Sequence, residues 1–380
     1  MVKAFGKTVL AGMVAATFLV GCDSGSKDTP IKLGVIAPLS GGGTSYGLGI
    51  KQGAEMAVEE INAAGGVNGR KINLVVVDDA SDPAQSVTAM KRLVDNEKVD
   101  VIVGGWGSSQ VLAHQGTVEK EGVPYVIVGA TNPKITKEGN KWSFRVIQTD
   151  SIQSVEIAEA AVKKLNLKKI AVIFDSNDYG TGNKEVFVKH LKSLGVDPVA
   201  METFKTNDKD FIAQLSKIKE AQPDGIAVFG TIPAAPAIMS QARGLGITAR
   251  FIGTGGLANE QLMELGRQAT EGTVLTTYFH EDSDAEAGAW GKRYTAKYTS
   301  GASAPRPVLA AWEYRTISQI VAPVLKTAGS DKEKIRAGLE SFNGKVFGVA
   351  DAVSFDKSHQ LVQRSVLVEV KDGKFALFSK

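Results

Sequence analysis

From Ile31 onward, short apolar runs rich in β-formers alternate with segments of helical period. That alternation restricts the chain to mostly parallel sheets covered on both faces by helices. The strand-like runs are Leu33–Ala37, Ile72–Val77, Val101–Gly104, Tyr125–Val128, Ile170–Phe174, Gly225–Phe229, Phe251–Gly253 and Val274–Thr277. Between the first two lies a helix whose apolar face is Ile50, Ala54, Ala57, Val58 and Ile61, with Lys51, Glu55, Glu59 and Asn62 opposite. Gly65-Gly66 ends it, and Asn68-Gly69 supplies a tight turn into the next strand. Ala158, Ala161, Val162 and Leu165 line a second helix face, and Phe211, Leu215 and Ile218 a third. Two such series, before and after about Asp150, predict two sheets in a chain of 380 residues, long enough for two domains. No low-complexity tract separates them, so a short hinge is expected. In the helix-rich stretch from Ala285 to Phe342, Trp290, Tyr294, Trp312 and Tyr314 read as core or interface packing.

The N-terminus bears on compartment. Lys3 and Lys7 precede a largely apolar run, Thr8 to Val20, which is shorter than the about 20 residues a membrane-spanning helix needs. Leu19-Val20-Gly21-Cys22 follows and resembles the lipobox of bacterial lipoproteins, in which the cysteine becomes the acylated N-terminus. The expectation is a signal peptide over 1–21 and a polar tether over 22–30, tying an exported protein to the outer face of the cytoplasmic membrane. The Asp after the cysteine resembles an inner-membrane retention signal of Gram-negative lipoproteins. Cys22 is the only cysteine, so its acylation leaves no thiol for disulfides or catalysis. With 44 Lys+Arg against 41 Asp+Glu the formal charge is +3, and two of the lysines fall in the leader. No basic cluster interleaved with aromatics suggests nucleic acid as a partner.

Enzyme signatures are missing from the sequence. His114, His190, His280 and His359 are scattered, none at metal-ligand spacing, and His280-Glu281 lacks the second His of a zincin. Neither a phosphate loop nor a Gly-x-Ser-x-Gly elbow occurs. Gly180-Thr181-Gly182 and Gly253-Thr254-Gly255-Gly256 lack dinucleotide spacing. Asp78-Asp79 read as strand-end turn residues rather than metal ligands. A non-enzyme with no cofactor and no metal is expected.

Ligands of open parallel sheets bind beyond the carboxyl ends of the strands. After Val101–Val103 comes Gly104-Gly105-Trp106-Gly107-Ser108-Ser109, and after Tyr125–Val128 comes Gly129-Ala130-Thr131-Asn132-Pro133. Ser108 is placed as a helix N-cap, where free N–H groups favour an anion, and Thr131 offers a hydroxyl and an N–H on the adjacent loop. Together they can cradle a carboxylate; on the residues alone, ordinary capping explains them as well.

The chain from about Ile31 to its end resembles the leucine/isoleucine/valine-binding family of ABC-transporter periplasmic receptors. The resemblance rests on Lys32-Leu-Gly-Val-Ile-Ala-Pro-Leu-Ser-Gly41, Ala64-Gly-Gly-Val-Asn-Gly-Arg70, Asp78-Asp79, Gly129-Ala-Thr-Asn-Pro133 and Phe174-Asp-Ser-Asn-Asp-Tyr-Gly180. It implies a type I periplasmic binding protein: α/β, two Rossmann-like lobes joined by a three-crossover hinge, with the ligand cleft between them. The lobes would be 31–149 plus 279–351, and 150–278 plus 352–380. It implies a monomer that closes on its ligand and delivers it to ABC permease and ATPase subunits.

The family's carboxylate site falls on Ser108 and Thr131, its ammonium-binding carbonyl on Gly129 beside Ala130, its cleft aromatics on Tyr46 and Tyr179, and the adjoining wall on Trp106. One departure matters. The acidic residue that commonly pairs with the ammonium falls near Gly255, and a second cleft tyrosine is replaced around Thr231-Ile232. An ammonium buried without a charged partner is costly. Either Asp150 or Asp178 supplies the charge, or the ligand is an aromatic or aliphatic carboxylate or an amide; the glycine would leave room for such a ligand. Branched-chain or other apolar amino acids are slightly favoured by family frequency. A sensory ligand-binding module for a membrane signalling partner uses the same fold, but such modules usually continue into a transmembrane helix. Here Ser365–Val370 and Phe375–Phe378 lead only to Lys380.

Overall fold

A computed structural model describes residues 1–2, 29–137, 141–298 and 307–378. Cys22 and the segment expected to be leader and tether lie outside the described residues, apart from the first two and last two positions of 1–30. Ten strands follow the expected alternation: β1 (Ile31–Ala37), β2 (Ile72–Asp78), β3 (Val101–Gly104), β4 (Tyr125–Ile127), β5 (Ser143–Arg145), β6 (Ile170–Asp175), β7 (Ala200–Phe204), β8 (Gly225–Phe229), β9 (Arg250–Gly253) and β10 (Val274–Thr277). Two two-residue strands, β11 (Asn343–Gly344) and β12 (Val353–Ser354), pair with each other. A hairpin of β13 (Val366–Lys371) and β14 (Lys374–Leu377) ends the described chain.

The first sheet runs β2-β1-β3-β4-β5, all parallel. The second runs β14-β13-β10-β9-β8-β6-β7, parallel except for the antiparallel hairpin at one end. Residues of β1, β3, β4, β6 and β8 are almost all buried, as two helical layers demand. β5 and β7 were not apparent in the sequence. Ser143–Arg145 is three residues with no apolar run, and Ala200–Phe204 alternates like an edge strand.

The helix Thr44–Ala63 buries Ile50, Ala54, Ala57 and Val58 under the first sheet. Positive φ at Gly65 and Gly66 ends it, and Val67 and Arg70 pair across the Asn68-Gly69 turn. The chain leaves the first sheet after β5, enters the second through the helix Asp150–Glu159, and leaves it again after β10. The helices Ala285–Lys297 and Pro307–Arg315 then return to the first lobe. There Tyr294 donates to Gln52 and Tyr314 to Glu60, and Trp290 stacks on Tyr294 at 4.9 Å. Those aromatics are core, as expected, with Trp290, Tyr294 and Trp312 fully buried.

A third passage, Phe355–Leu361, recrosses between lobes. The 352–380 boundary drawn from sequence assigns it to the second lobe, yet it packs on β5: His359 stacks on Phe144 at 4.2 Å, Phe355 meets the same ring edge-on, and the Leu361 N–H bonds the Arg145 carbonyl. Asp78 accepts from the N–H groups of Leu39, Ser40 and Ala80 and from the Ser40 hydroxyl, a strand-end turn role.

Two glycines give opposite predictions. A Cβ at Gly53 lands on the Ala310 carbonyl, where two helices touch, whereas one at Gly116 on the exposed face of the helix Ser108–Glu121 meets nothing within 4 Å. Overpacking costs about 1–3 kcal/mol and Gly→Ala in a helix gains about 1. Urea denaturation is expected to show Gly53→Ala destabilised by about 1–2 kcal/mol and Gly116→Ala stabilised by about 0.5–1.

Candidate functional site

The loops after β1, β3 and β4 meet the loops after β6, β8 and β9, so the carboxyl ends of both sheets converge on one cleft. After β3 the backbone takes φ +115° at Gly104 and +79° at Gly105, a left-handed pair that turns it sharply into the helix Ser108–Glu121. Gly107 holds the cap position; Ser108, expected there, is the first helical residue and is buried. One residue of slippage matters: its hydroxyl is not used on its own helix and instead accepts from the Asn132 N–H at 3.2 Å. The two candidate loops are thus stitched side by side. Gly129 bonds the Gly105 carbonyl at 3.0 Å, and a Cβ there would strike the Trp106 backbone.

Thr131, also buried, leaves its hydroxyl without a hydrogen-bond partner of full geometry. It lies beside Asp150, close enough to help hold that carboxyl ionised. Asp150 opens the helix Asp150–Glu159; one oxygen accepts from Asn183 at 2.8 Å and the other, Oδ2, is unpartnered. Burial pushes the Asp150 carboxyl up to about 7, against the lowering effects of the Thr131 hydroxyl, the Arg145 guanidinium and the Asn183 amide.

Aromatic residues close the cleft. Tyr46 stacks on Trp106 at 4.0 Å, and its hydroxyl reaches across to donate to the Gly256 carbonyl at 2.6 Å and accept from the Ile232 N–H at 3.0 Å. The backbone at Ile232 thus meets a tyrosine from the opposite lobe. Tyr179 pairs with the Thr254 hydroxyl at 2.9 Å and accepts from the Gly256 N–H at 3.0 Å. Burial raises the Tyr46, Tyr179 and Tyr278 hydroxyls above their ordinary range, so all three stay neutral.

Two sequence readings need correcting. Gly255 does not open space for a larger ligand, because a Cβ there would land on the Tyr278 hydroxyl: the small residue accommodates a large one that directly follows β10. Asp178 is not a free counter-charge. Its carboxylate accepts from Ser109 at 2.6 Å and its carbonyl from Asn132 at 2.7 Å, joining the lobes as Asn259 and Ser45 do at 3.1 Å.

Sequence reasoning also passed over Gln153 and Tyr278. The Gln153 carbonyl oxygen accepts from the Gly255 N–H at 2.9 Å and the Thr276 hydroxyl at 3.1 Å, filling with a neutral amide the region where an acid was sought. The available signal was spacing, since Gln153 lies one turn beyond Asp150 on the same helix face. Of the histidines, His114 is buried against the Tyr125 hydroxyl at 3.3 Å, and among the described residues no group of His, Cys, Asp and Glu is arranged to hold a metal.

Residues 30–374 match the family model described as periplasmic binding protein. A Pseudomonas aeruginosa protein named amino acid binding protein is 32% identical over 341 residues, 89% of each chain. The leucine-, isoleucine-, valine-, threonine-, and alanine-binding protein of the same organism is 31% identical over 338 residues, 88% of this chain and 89% of its own. The chain belongs to the Leu/Ile/Val-binding family of periplasmic binding proteins. Its fold matches the branched-chain amino acid transporter substrate binding protein LivJ of Streptococcus pneumoniae, solved in complex with isoleucine. The TM-score is 0.84 and the identity 32%, covering 91% of this chain and 98% of that one. Type I periplasmic binding architecture accounts for the paired sheets and the cleft. No helix among the described residues is long and apolar enough to cross a membrane.

Asp150 makes stability depend on pH. Its native carboxyl keeps a proton up to about pH 7, while the unfolded chain releases it near 3.8, so the native state binds more protons between these values. Stability therefore falls as pH rises through that window. Melting temperatures of ligand-free wild type and Asp150→Asn across pH 4–8 should diverge, the wild type losing ground as pH rises; a constant difference would show that Asp150 is already ionised.

Proposed function

We propose that this chain is the extracytoplasmic solute-binding component of an ABC importer. It captures a small carboxylate-bearing solute between its lobes, and an apolar α-amino acid fits best. The observation that carries this is a buried polar pair, the Thr131 hydroxyl beside the Asp150 carboxyl, in which neither the hydroxyl nor Asp150 Oδ2 makes a full-geometry hydrogen bond. Buried polar groups without partners are costly. An amino acid supplies what both lack: its carboxylate takes donors from Ser108 and Thr131, and its ammonium meets Asp150 and the Gly129 carbonyl. Trp106, Tyr46 and Tyr179 supply apolar walls for the side chain. Ala130, between the two polar positions, keeps that wall of the loop small. The names of the relatives support an amino acid as the solute.

The alternative of an ammonium-free carboxylate draws on the lack of an acid at Gly255, whose N–H is engaged by neutral Gln153. Asp150, raised by burial, would then remain protonated in the complex. Amino acid and acid are distinguished by a thermal-shift panel pairing L-leucine with 4-methylpentanoate and L-phenylalanine with 3-phenylpropanoate. A native-state binder at a hundred times its Kd adds about 2.7 kcal/mol. Shifts with the amino acids alone are expected, and Asp150→Asn should abolish them; shifts with the acids alone would overturn the amino-acid reading.

Charge-assisted hydrogen bonds contribute roughly 1.5–3 kcal/mol each. Ser108→Ala and Thr131→Ala should each weaken whichever panel member binds by about tenfold to a hundredfold in calorimetric titration. Affinity unchanged in both would remove these residues from the site.

The lipobox-like sequence supports a lipid anchor at Cys22, with the protein working as a monomeric binder rather than an enzyme. Cys22→Ser should move the protein from the membrane to the soluble fraction; continued membrane association would exclude acylation at this residue.

A further inference from the structure

Arg145, the last residue of β5, is a fully buried cation whose side chain bonds only neutral acceptors. Its guanidinium donates to the carbonyls of Asn132 at 2.7 Å and Ala130 at 3.4 Å, to the Thr136 hydroxyl at 2.9 Å, and to the Gln360 side chain at 2.6 Å. Burial brings it down to about 10, which leaves it charged at neutral pH. The Asp150 and Asp356 carboxyls act on it from a distance but neither hydrogen-bonds it; a desolvated cation without a directly bonded carboxylate is expensive, and simple clamping of a loop does not require one.

The Ala130 contact has a directional consequence. In a trans peptide the C=O and the following N–H point oppositely, and those of the Ala130–Thr131 unit are a single rigid plane. A guanidinium on the Ala130 oxygen therefore aims the Thr131 N–H away from the protein interior and toward the cleft, and it polarises that peptide so that the N–H is a stronger donor. Among the described residues the Thr131 N–H meets no backbone acceptor, and the hydroxyl of the same residue makes no full-geometry hydrogen bond, lying beside the Asp150 carboxyl.

We propose that Arg145 is a positioning residue for carboxylate recognition: through the Ala130–Thr131 peptide it presents the Thr131 N–H to the ligand and places behind it a fixed positive charge that no carboxylate of the protein hydrogen-bonds. This rests on the carboxylate reading of the cleft. It also explains how a site with no basic side chain in its lining can favour an anion, because the cation lies one peptide behind the surface and out of reach of solvent screening.

Arg145→Met and Arg145→Lys, titrated calorimetrically with L-leucine and with L-leucinamide, separate this role from scaffolding. The amide keeps the shape and the ammonium but not the negative charge. Arg145→Met should weaken leucine at least tenfold while changing leucinamide less than threefold, and Arg145→Lys should recover most of the loss. Equal weakening of both probes, or a lysine variant as poor as the methionine one, overturns the proposal. Should Arg145→Met not fold, Arg145→Gln, which keeps a neutral donor, carries the same comparison. If wild type binds neither leucine nor 4-methylpentanoate, the carboxylate reading fails by itself. The role of Arg145 is then decided by ligand-free crystal structures, in which the Thr131 N–H should face the cleft in wild type and Arg145→Lys and turn from it in Arg145→Met; an unmoved peptide in Arg145→Met refutes it.

Discussion

Parallel strands leave every carboxyl-end loop of a sheet on one edge, and the rest of this molecule follows from setting two such edges face to face. Neither edge alone encloses a small molecule. The loops after β3 and β4 form one wall, those after β6, β8 and β9 the other, and the contacts that join them are few and mostly to backbone. Tyr46 bonds the Gly256 carbonyl and the Ile232 N–H, and Asn132 bonds the Asp178 carbonyl. Backbone groups hold their position whatever side chains flank them, so closure can be kept while the lining varies. The first and third passages between lobes lie beside one another, with Gln148 bonding the Arg364 carbonyl and Gln363 the Val146 carbonyl. Bending there moves the walls without breaking either sheet.

The architecture was legible because period and burial agree in most elements. β1, β3, β4, β6 and β8 are buried on both faces and so appear as unbroken apolar runs, whereas β5 has too few residues to show any period. The third passage was assigned to the wrong neighbour for a related reason: Phe355 and His359 are held by aromatic contacts with Phe144, more than two hundred positions earlier, and such contacts leave no local pattern. Within the cleft, loops opening on glycine stood out, and with them Ser108, Thr131 and Tyr179. Gln153, Tyr278 and Arg145 did not: Gln153 and Arg145 sit inside regular elements, Tyr278 follows directly on β10, and each meets a partner distant in the chain. The slip at Ser108 belongs with these. Cap and first helical residue differ by one position, and the difference decides whether a hydroxyl faces its own helix or the neighbouring loop.

Gly255 shows how a missing side chain misleads when read alone. Absence of an acid there suggested an emptier cleft, but glycine is required by the Tyr278 hydroxyl, and its N–H is fixed by Gln153. On the reading proposed above, the acidic group of the cleft is Asp150, on a different element and with a different environment. A carboxylate at the rim of the second lobe would remain hydrated until closure. Asp150 is buried already, partly neutralised by its surroundings, and held by Asn183 on one oxygen only. Such a group discriminates more sharply, since a ligand ammonium must supply enough interaction to ionise it, and a neutral amine analogue does not. The cost appears in the ligand-free protein, whose desolvated acid lowers its stability progressively as pH rises from about 3.8 to about 7. On the amino-acid reading proposed above, binding would relieve that cost as the cleft closes, so the interaction with the ammonium would favour the closed conformation.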